Sequence, residues 1–221
     1  MKFHKSKKAS KSLLYFLTEI IIVTIGIYIA IQLNNWNQTK NNKKEETNAL
    51  KRIKADLEVE KIVLNNSLKD IEKSENYLKN IINNTKKEDL DSLDFYMSKT
   101  FKHYKFNPEY INLKHSGKLN LITNDSIRYL IVGFYEGYYG YYQEISKTHS
   151  EFLKDYIQKY SYNTFEIDTT GLINSKAVKL NDQKLKNLLI LQKNNYNGIQ
   201  KNISTEFVER LIDKINKTLK N

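Results

Sequence analysis

One stretch of 21 residues, Leu13–Leu33, carries a single charged side chain, Glu19, and it constrains this chain more than anything else in it. As an α-helix the stretch is about 31 Å long at roughly 1.5 Å per residue, the thickness of a bilayer's hydrocarbon core. From Ile20 to Leu33 there is no charge and apolar residues fall on every helical face. A helix that packs one side against a soluble core has no need of that. Lys2, Lys5, Lys7, Lys8 and Lys11 precede the stretch with no acid among them, and Trp36 follows it. Cationic tails stay on the cytoplasmic side, and indole favours the membrane–water boundary. The expected organisation is a basic cytoplasmic tail at 1–12, a transmembrane helix at 13–36 and an extracytoplasmic domain at 37–221.

A cleaved signal peptide is the competing reading. The apolar run is longer than an ordinary signal core, and Ile29 and Ile31 put bulky side chains where a cleavage site needs small ones. An uncleaved signal anchor is therefore expected. The far flank has Lys40, Lys43 and Lys44, offset by Glu45 and Glu46, so the lysine bias favours the amino-terminal side. The domain should then lie in the periplasm, anchored in the inner (cytoplasmic) membrane, with the lipid bilayer as its first partner.

The net charge of +11 does not point to nucleic acid. The first twelve residues hold five lysines and no acid, and the other 209 residues hold 31 Lys+Arg against 25 Asp+Glu. Much of the excess is thus an anchor flank suited to anionic headgroups. The rest is diffuse, in a chain with 26 Asn, 16 Tyr and one Pro, the bias of an AT-rich genome. There is no cysteine, hence no disulfide and no thiolate chemistry, and either redox compartment is compatible.

Beyond the span the patterning is helical. Leu50, Leu57, Leu64, Ile71 and Leu78 recur every seventh residue, while the companion seam Ile53, Glu60, Ser67, Ser74, Ile81 is apolar only at its ends. A coiled coil wants both seams apolar, whereas one broad stripe suits a bundle helix. A polar break is expected at Asn83–Asp89 and a short helix from Leu90 to Phe101. Asn107-Pro108 supplies a cap and first-turn pair, and Ser116-Gly117 a helix stop. After Asn124-Asp125-Ser126, the residues Ile127, Leu130, Ile131, Phe134, Tyr138, Tyr141, Ile145, Phe152, Tyr156 and Tyr160 hold helical period. The period breaks over Tyr162–Leu180, where Thr164–Ile167 alternates like a short extended piece and Asp168–Gly171 reads as a loop. Asn181-Asp182 then caps one last helix with a stripe from Leu185 to Leu219. The expected fold is all-α: a transmembrane helix continuing into an up-and-down bundle of about four helices.

Chemistry is harder to find. Glu19 lies about 9 Å into the span by helix rise. An acid in lipid is a candidate for pairing with a partner helix, a second copy or a proton, or it snorkels to the cytoplasmic face. Gly133, Gly137 and Gly140 recur on one side of the third helix among Tyr129, Tyr135, Tyr138, Tyr139, Tyr141 and Tyr142. One reading is an aromatic ligand surface formed by Tyr138, Tyr141 and Tyr142; the other is glycine-relieved packing beneath large rings. The four histidines, His4, His103, His115 and His149, share no metal-ligand spacing, no nucleophile motif occurs, and Lys114–Lys118 lacks the leading glycine of a phosphate loop. No catalytic residue, metal or cofactor is expected.

Two motifs resemble a known family. Glu19-Ile20-Ile21-Ile22-Val23, Ile25-Gly26-Ile27 and Ile29-Ala30-Ile31-Gln32-Leu33-Asn34-Asn35-Trp36-Asn37 are similar to the amino-terminal signature of the domain-of-unknown-function 6090 family, with Thr18 in place of the usual glycine. Leu113–Ile122, with Arg128 and Phe134-Tyr135, is similar to that family's second motif, with His115 in place of serine. The family comprises small single-pass proteins, mostly of Bacteroidota, without an established activity. The resemblance implies that Glu19, Gln32, Asn34, Asn35 and Trp36 form a membrane-boundary motif. It also implies that Ser116, Gly117 and Arg128 form a structured turn. The expected function is a non-enzymatic binding, scaffold or sensor-like module whose partner is a second copy, another envelope protein or a small ligand. The alternative is an enzyme with a site assembled between helices, around Tyr138, Tyr141, His149 and acids.

Overall fold

The computed structural model describes residues 7–83, 90–103, 106–167, 169, 173–174 and 180–220. Lys2, Lys5 and His4 lie outside the described residues, as does most of the expected break at 84–89. The chain divides into two compact units, residues 1–48 and 49–221.

Helix α1 runs from Lys7 to Asn83. In the first unit every residue from 14 to 45 is exposed. This is the one helix among the described residues long and apolar enough to cross a membrane, and its apolar stretch is a candidate span. Thr18 and Thr24 turn their hydroxyls onto the carbonyls of Leu14 and Ile20, at 2.8 and 2.7 Å. Both polar groups are thereby satisfied within the helix, as a lipid environment demands.

In the second unit α1 forms the spine of the core. Leu50, Leu57, Leu64, Ile71 and Leu78, the every-seventh column, are buried to within 1%. The polar seam beside it is buried as well: Glu60 and Ser74 are inside, with Asp56. Glu60 and Asp56 meet polar partners from other segments, while Ser74 donates to Asp70 O within α1.

A 3-10 turn (Leu90–Ser92) leads into α2, Leu93–Met97. The expected helix to Phe101 is therefore too long. The Ser98 N–H makes the last helical bond, to Asp94 O, and residues 99–103 leave the helix because their backbone is claimed by side chains described below. Helix α3 (Pro108–His115) starts with proline at its first position and ends at Ser116. Gly117 follows with φ of +68°, a conformation that glycine adopts without a Cβ clash. A 3-10 turn, Lys118–Leu121, closes the segment.

From Asp125 to Thr164 the backbone is helical throughout, capped by the Asn124 side chain accepting from the Ile127 N–H. It contains two π turns: α4 (Asp125–Gly133), Phe134–Tyr138, α5 (Tyr139–Phe152), Leu153–Gln158 and α6 (Lys159–Thr164). Each π turn accommodates an extra residue. Past residue 134 the buried face consequently advances by one position. Tyr139, Tyr142, Leu153 and Ile157 are buried, whereas Tyr138, Tyr141 and Tyr156, expected on the core face, are exposed. The helix also persists three residues into the expected break, to Thr164. Strands β1 (Glu166–Ile167) and β2 (Ile173–Asn174) pair antiparallel, so the alternation at 164–167 does mark an extended piece.

Asp182 caps α7 (Gln183–Asn202) by accepting from the Lys184 N–H. The expected single last helix is two. It breaks at residues 203–205, and α8 (Glu206–Lys220) begins where the Ser204 hydroxyl accepts from the Glu206 N–H at 3.1 Å. Apart from the short β1–β2 pair the described fold is helical, and α1 from Ala49 onward, the 125–164 helix, α7 and α8 share one hydrophobic core.

Candidate functional site

Residues 98–103 have neither helix nor sheet, yet Phe101 and His103 are buried. Irregular backbone inside a core must find hydrogen bonds elsewhere. The long helices supply them. The Phe101 N–H donates to His149 Nδ1 at 3.2 Å. Ser146 Oγ donates to the Phe101 carbonyl at 3.1 Å and accepts from the His103 N–H at 3.2 Å. From α7, Gln192 Nε2 donates to Met97 O at 2.9 Å, and the Tyr196 hydroxyl sits 2.7 Å from Tyr96 O and 2.9 Å from Lys99 O. Because Nδ1 of His149 is an acceptor, its proton is on Nε2, 3.4 Å from Gln192 Oε1. Burial pushes this imidazole down to about 4, against a smaller opposing pull from Gln192. Burial also raises the Tyr196 phenol.

On the α1 side, His103, the last residue of this irregular strap (residues 98–103), meets the polar seam. His103 Nε2 lies 2.5 Å from Glu60 Oε1, with the two side chains 0% and 3% exposed. Tyr139 and Tyr142 stand edge-on to the imidazole, at centroid distances of 4.6 and 5.7 Å. One helical turn earlier, Asp56 accepts from the Glu109 N–H at 3.1 Å. This N–H is one of the free donors at the start of α3, so Asp56 caps that helix from α1 while Asn107 makes no side-chain cap bond. The Glu109 carboxylate is in turn gripped by Arg52 through two bonds of 2.7 and 2.8 Å. Burial raises the Asp56 carboxyl; the Glu109 N–H bond lowers it, and the Glu109 charge adds to the rise.

The first π turn borders this cluster. Tyr135 points inward and stacks on Tyr110, 4.5 Å between centroids. Glu136 faces out and receives the Tyr110 hydroxyl at 2.5 Å and Lys114 Nζ at 2.6 Å. Lys114 first, then Tyr110, hold the Glu136 carboxyl below the usual range. Burial lifts Tyr139 to about 12 and raises Tyr135 further, the latter aided by the Asp56 charge. Two buried polar atoms have no hydrogen-bond partner among the described residues: His103 Nδ1 and the Tyr135 hydroxyl. Chemically, the arrangement is a carboxylate–imidazole pair with one ring nitrogen free, beside a phenol. No group of three His, Cys, Asp or Glu suited to a metal ion occurs among the described residues.

The residues singled out from sequence fall into three places. Glu19, Gln32, Asn34, Asn35 and Trp36 are all exposed on α1. The Asn35 carbonyl takes the Thr39 hydroxyl at 2.9 Å, and Lys40 Nζ lies 5.7 Å from the centre of the Trp36 ring. Ser116 and Arg128 each make local bonds: the Ser116 hydroxyl donates to Asn112 O at 2.7 Å just before Gly117, and Arg128 Nη1 donates to Ile122 O at 2.7 Å while Nη2 pairs with Asp125. Tyr138, Tyr141 and Tyr142 split. Tyr142 is buried and donates to Ser204 O at 2.9 Å, Tyr138 packs on Phe207, and Tyr141 reaches Asn202 Oδ1 at 3.2 Å. Tyr141, Asn195, Gly198 and Asn202 line a groove of about 390 Å³ between α5 and α7. A Cβ added at Gly133, Gly137 or Gly140 would meet nothing within 4 Å, so these glycines do not relieve packing.

Sequence reasoning missed Asp56, Glu60, His103, Glu109, Gln192 and Tyr196. The available signal was Glu60 on a seam otherwise turned to the core; its partner His103 is 43 residues away and carried none. A model of the family of unknown function DUF6090 matches residues 19–196. No curated protein and no solved structure matches the chain.

Proposed function

This chain belongs to the DUF6090 family, and we propose that it is a non-enzymatic binding module of the cell envelope. Its amino-terminal helix holds it in the inner membrane, the 1–12 tail stays in the cytoplasm, and the bundle stands in the periplasm. The single observation that carries the reading is the contrast within the chain. No residue in the apolar stretch of α1 is buried, while residues from 49 onward share one hydrophobic core. Apolar surface of that extent needs lipid or another chain against it. The partner is a second copy or another envelope protein. Alkaline phosphatase fused to the carboxyl terminus should be active and a green fluorescent protein fusion dark; the reverse pattern overturns the orientation. Crosslinking in intact cells should yield a reproducible dimer or heteromeric band, and monomer alone overturns the binding role.

A second reading, an enzyme with a site between helices, is favoured by one observation: Asp56, Glu60, His103 and Tyr135 gather several titratable groups in one buried place. Loss of a cellular phenotype on Glu60→Gln at unchanged protein level and unchanged crosslinking would select it over the binding role.

A further inference from the structure

The Glu60–His103 pair and Tyr135 leave a specific unmet demand. Both unpartnered atoms are deeply buried: the His103 side chain is 0% exposed and Tyr135 is 6% exposed. Both rings pack against the same neighbour, Tyr139, at centroid distances of 4.6 Å for His103 and 5.7 Å for Tyr135. Glu60 Oε1 occupies the Nε2 side of His103. In the neutral ring Nε2 then donates to the carboxylate, and Nδ1 becomes an acceptor in need of a donor. The Tyr135 hydroxyl is a donor in need of an acceptor. Buried groups of this kind are very rarely left unpaired, since an unmade bond forfeits the full cost of desolvation.

We propose that the space bounded by α1 at Asp56 and Glu60, by His103 and by the first π turn is an internal water site. A single molecule donates to His103 Nδ1, accepts from the Tyr135 hydroxyl, and turns its second hydrogen to Asp56. Only a ligand that both donates and accepts satisfies the two orphans together, and water is the smallest. Such waters typically make about three bonds to otherwise unpaired groups. A metal ion would leave the phenol proton without an acceptor, and no ligand cluster for one occurs among the described residues. The π turn contributes by swinging Tyr135 into the core while Glu136 stays outside on Lys114. The site goes beyond the binding role: it links the Glu60–His103 dyad through a water molecule to the Tyr135 phenol.

The test is nuclear magnetic resonance on the full chain in detergent micelles. In the wild type the ring protons of His103 and Tyr135 should show cross-relaxation at the water frequency with the sign of a long-lived bound molecule. In Tyr135→Phe, which keeps the ring stacked on Tyr110, the His103 Nδ1 resonance should shift toward the value of an unbonded acceptor. The urea midpoint should fall. Absence of the water cross-peaks in the wild type overturns the proposal without reference to any variant. So does an unmoved Nδ1 resonance in Tyr135→Phe, or a midpoint that rises, since removing a truly orphaned hydroxyl is stabilising.

Discussion

His149→Asn should flatten the acid limb of this protein's stability profile. The wild-type ring is neutral inside the core, with Nδ1 accepting the Phe101 N–H and Nε2 facing Gln192. A proton added at Nδ1 would abolish that acceptor and bury a charge, which is why the folded-state value lies at about 4 against 6.5 for a free imidazole. The sign follows from linkage. Above pH 6.5 neither state binds the proton and the stability is fully present. As the pH falls from 6.5 toward 4 the unfolded chain protonates first, and stability is lost at about 1.4 kcal/mol per pH unit. The total is about 3 kcal/mol, a large share of the roughly 5–15 kcal/mol that holds a domain folded. Asparagine at 149 can place Oδ1 where Nδ1 was and does not titrate. It leaves space beside Tyr196 and should cost about 1–2 kcal/mol at neutral pH. The assay is urea unfolding of the full chain in detergent, followed by near-ultraviolet circular dichroism at intervals from pH 7.5 to 4.5. Carboxylates common to both proteins cancel in the difference. Parallel curves would refute the reasoning, because they would mean that His149 is protonated in the fold or lies outside it.

Other substitutions separate local causes. Gly198→Ala should raise stability by up to about 1 kcal/mol, since a Cβ there meets nothing within 4 Å and alanine is the better helix former. Gly117→Ala should lower stability by about 1 kcal/mol, because its φ is +68°; equal effects of the two changes in urea titration would contradict this. Arg128→Ala removes the donor to Ile122 O and the Asp125 pair and should cost about 1–2 kcal/mol, with proteolytic nicking near residues 116–122 as a second readout. Tyr196→Phe strips the strap of its bonds at Tyr96 O and Lys99 O and should cost about 1–3 kcal/mol; an unchanged midpoint would mean that solvent already serves those carbonyls.

The helices were legible wherever one rule acted alone. The seven-residue column from Leu50 to Leu78 declared a buried face, and Asn124, Asp182 and Gly117 declared ends, because periodicity and capping are local. The register of the 125–164 helix was not legible. A π turn changes which side chains face the core without changing composition, so Tyr138 and Tyr141 took the places that belong to Tyr139 and Tyr142. The stop at Met97 was missed for a related reason: the backbone after it is held by side chains distant in sequence, His149, Gln192 and Tyr196. The break at residues 203–205 did have a local mark, the Ser204 hydroxyl that caps the Glu206 N–H, beside the distant bond from Tyr142 to Ser204 O. The buried cluster shares that origin. Glu60 stood with Ser67 and Ser74 in a seam that is apolar only at its ends, and nothing near His103 names its partner. Gly133, Gly137 and Gly140, which looked like packing devices, open onto empty space.

Alkaline carbonate extraction of cells expressing the full chain tests the anchored bundle most directly. The intact product, residues 13–36 included, should stay in the membrane pellet and be released only by detergent. Recovery of the full-length chain in the supernatant, or of a product shortened by its first thirty-odd residues, would contradict the anchored bundle.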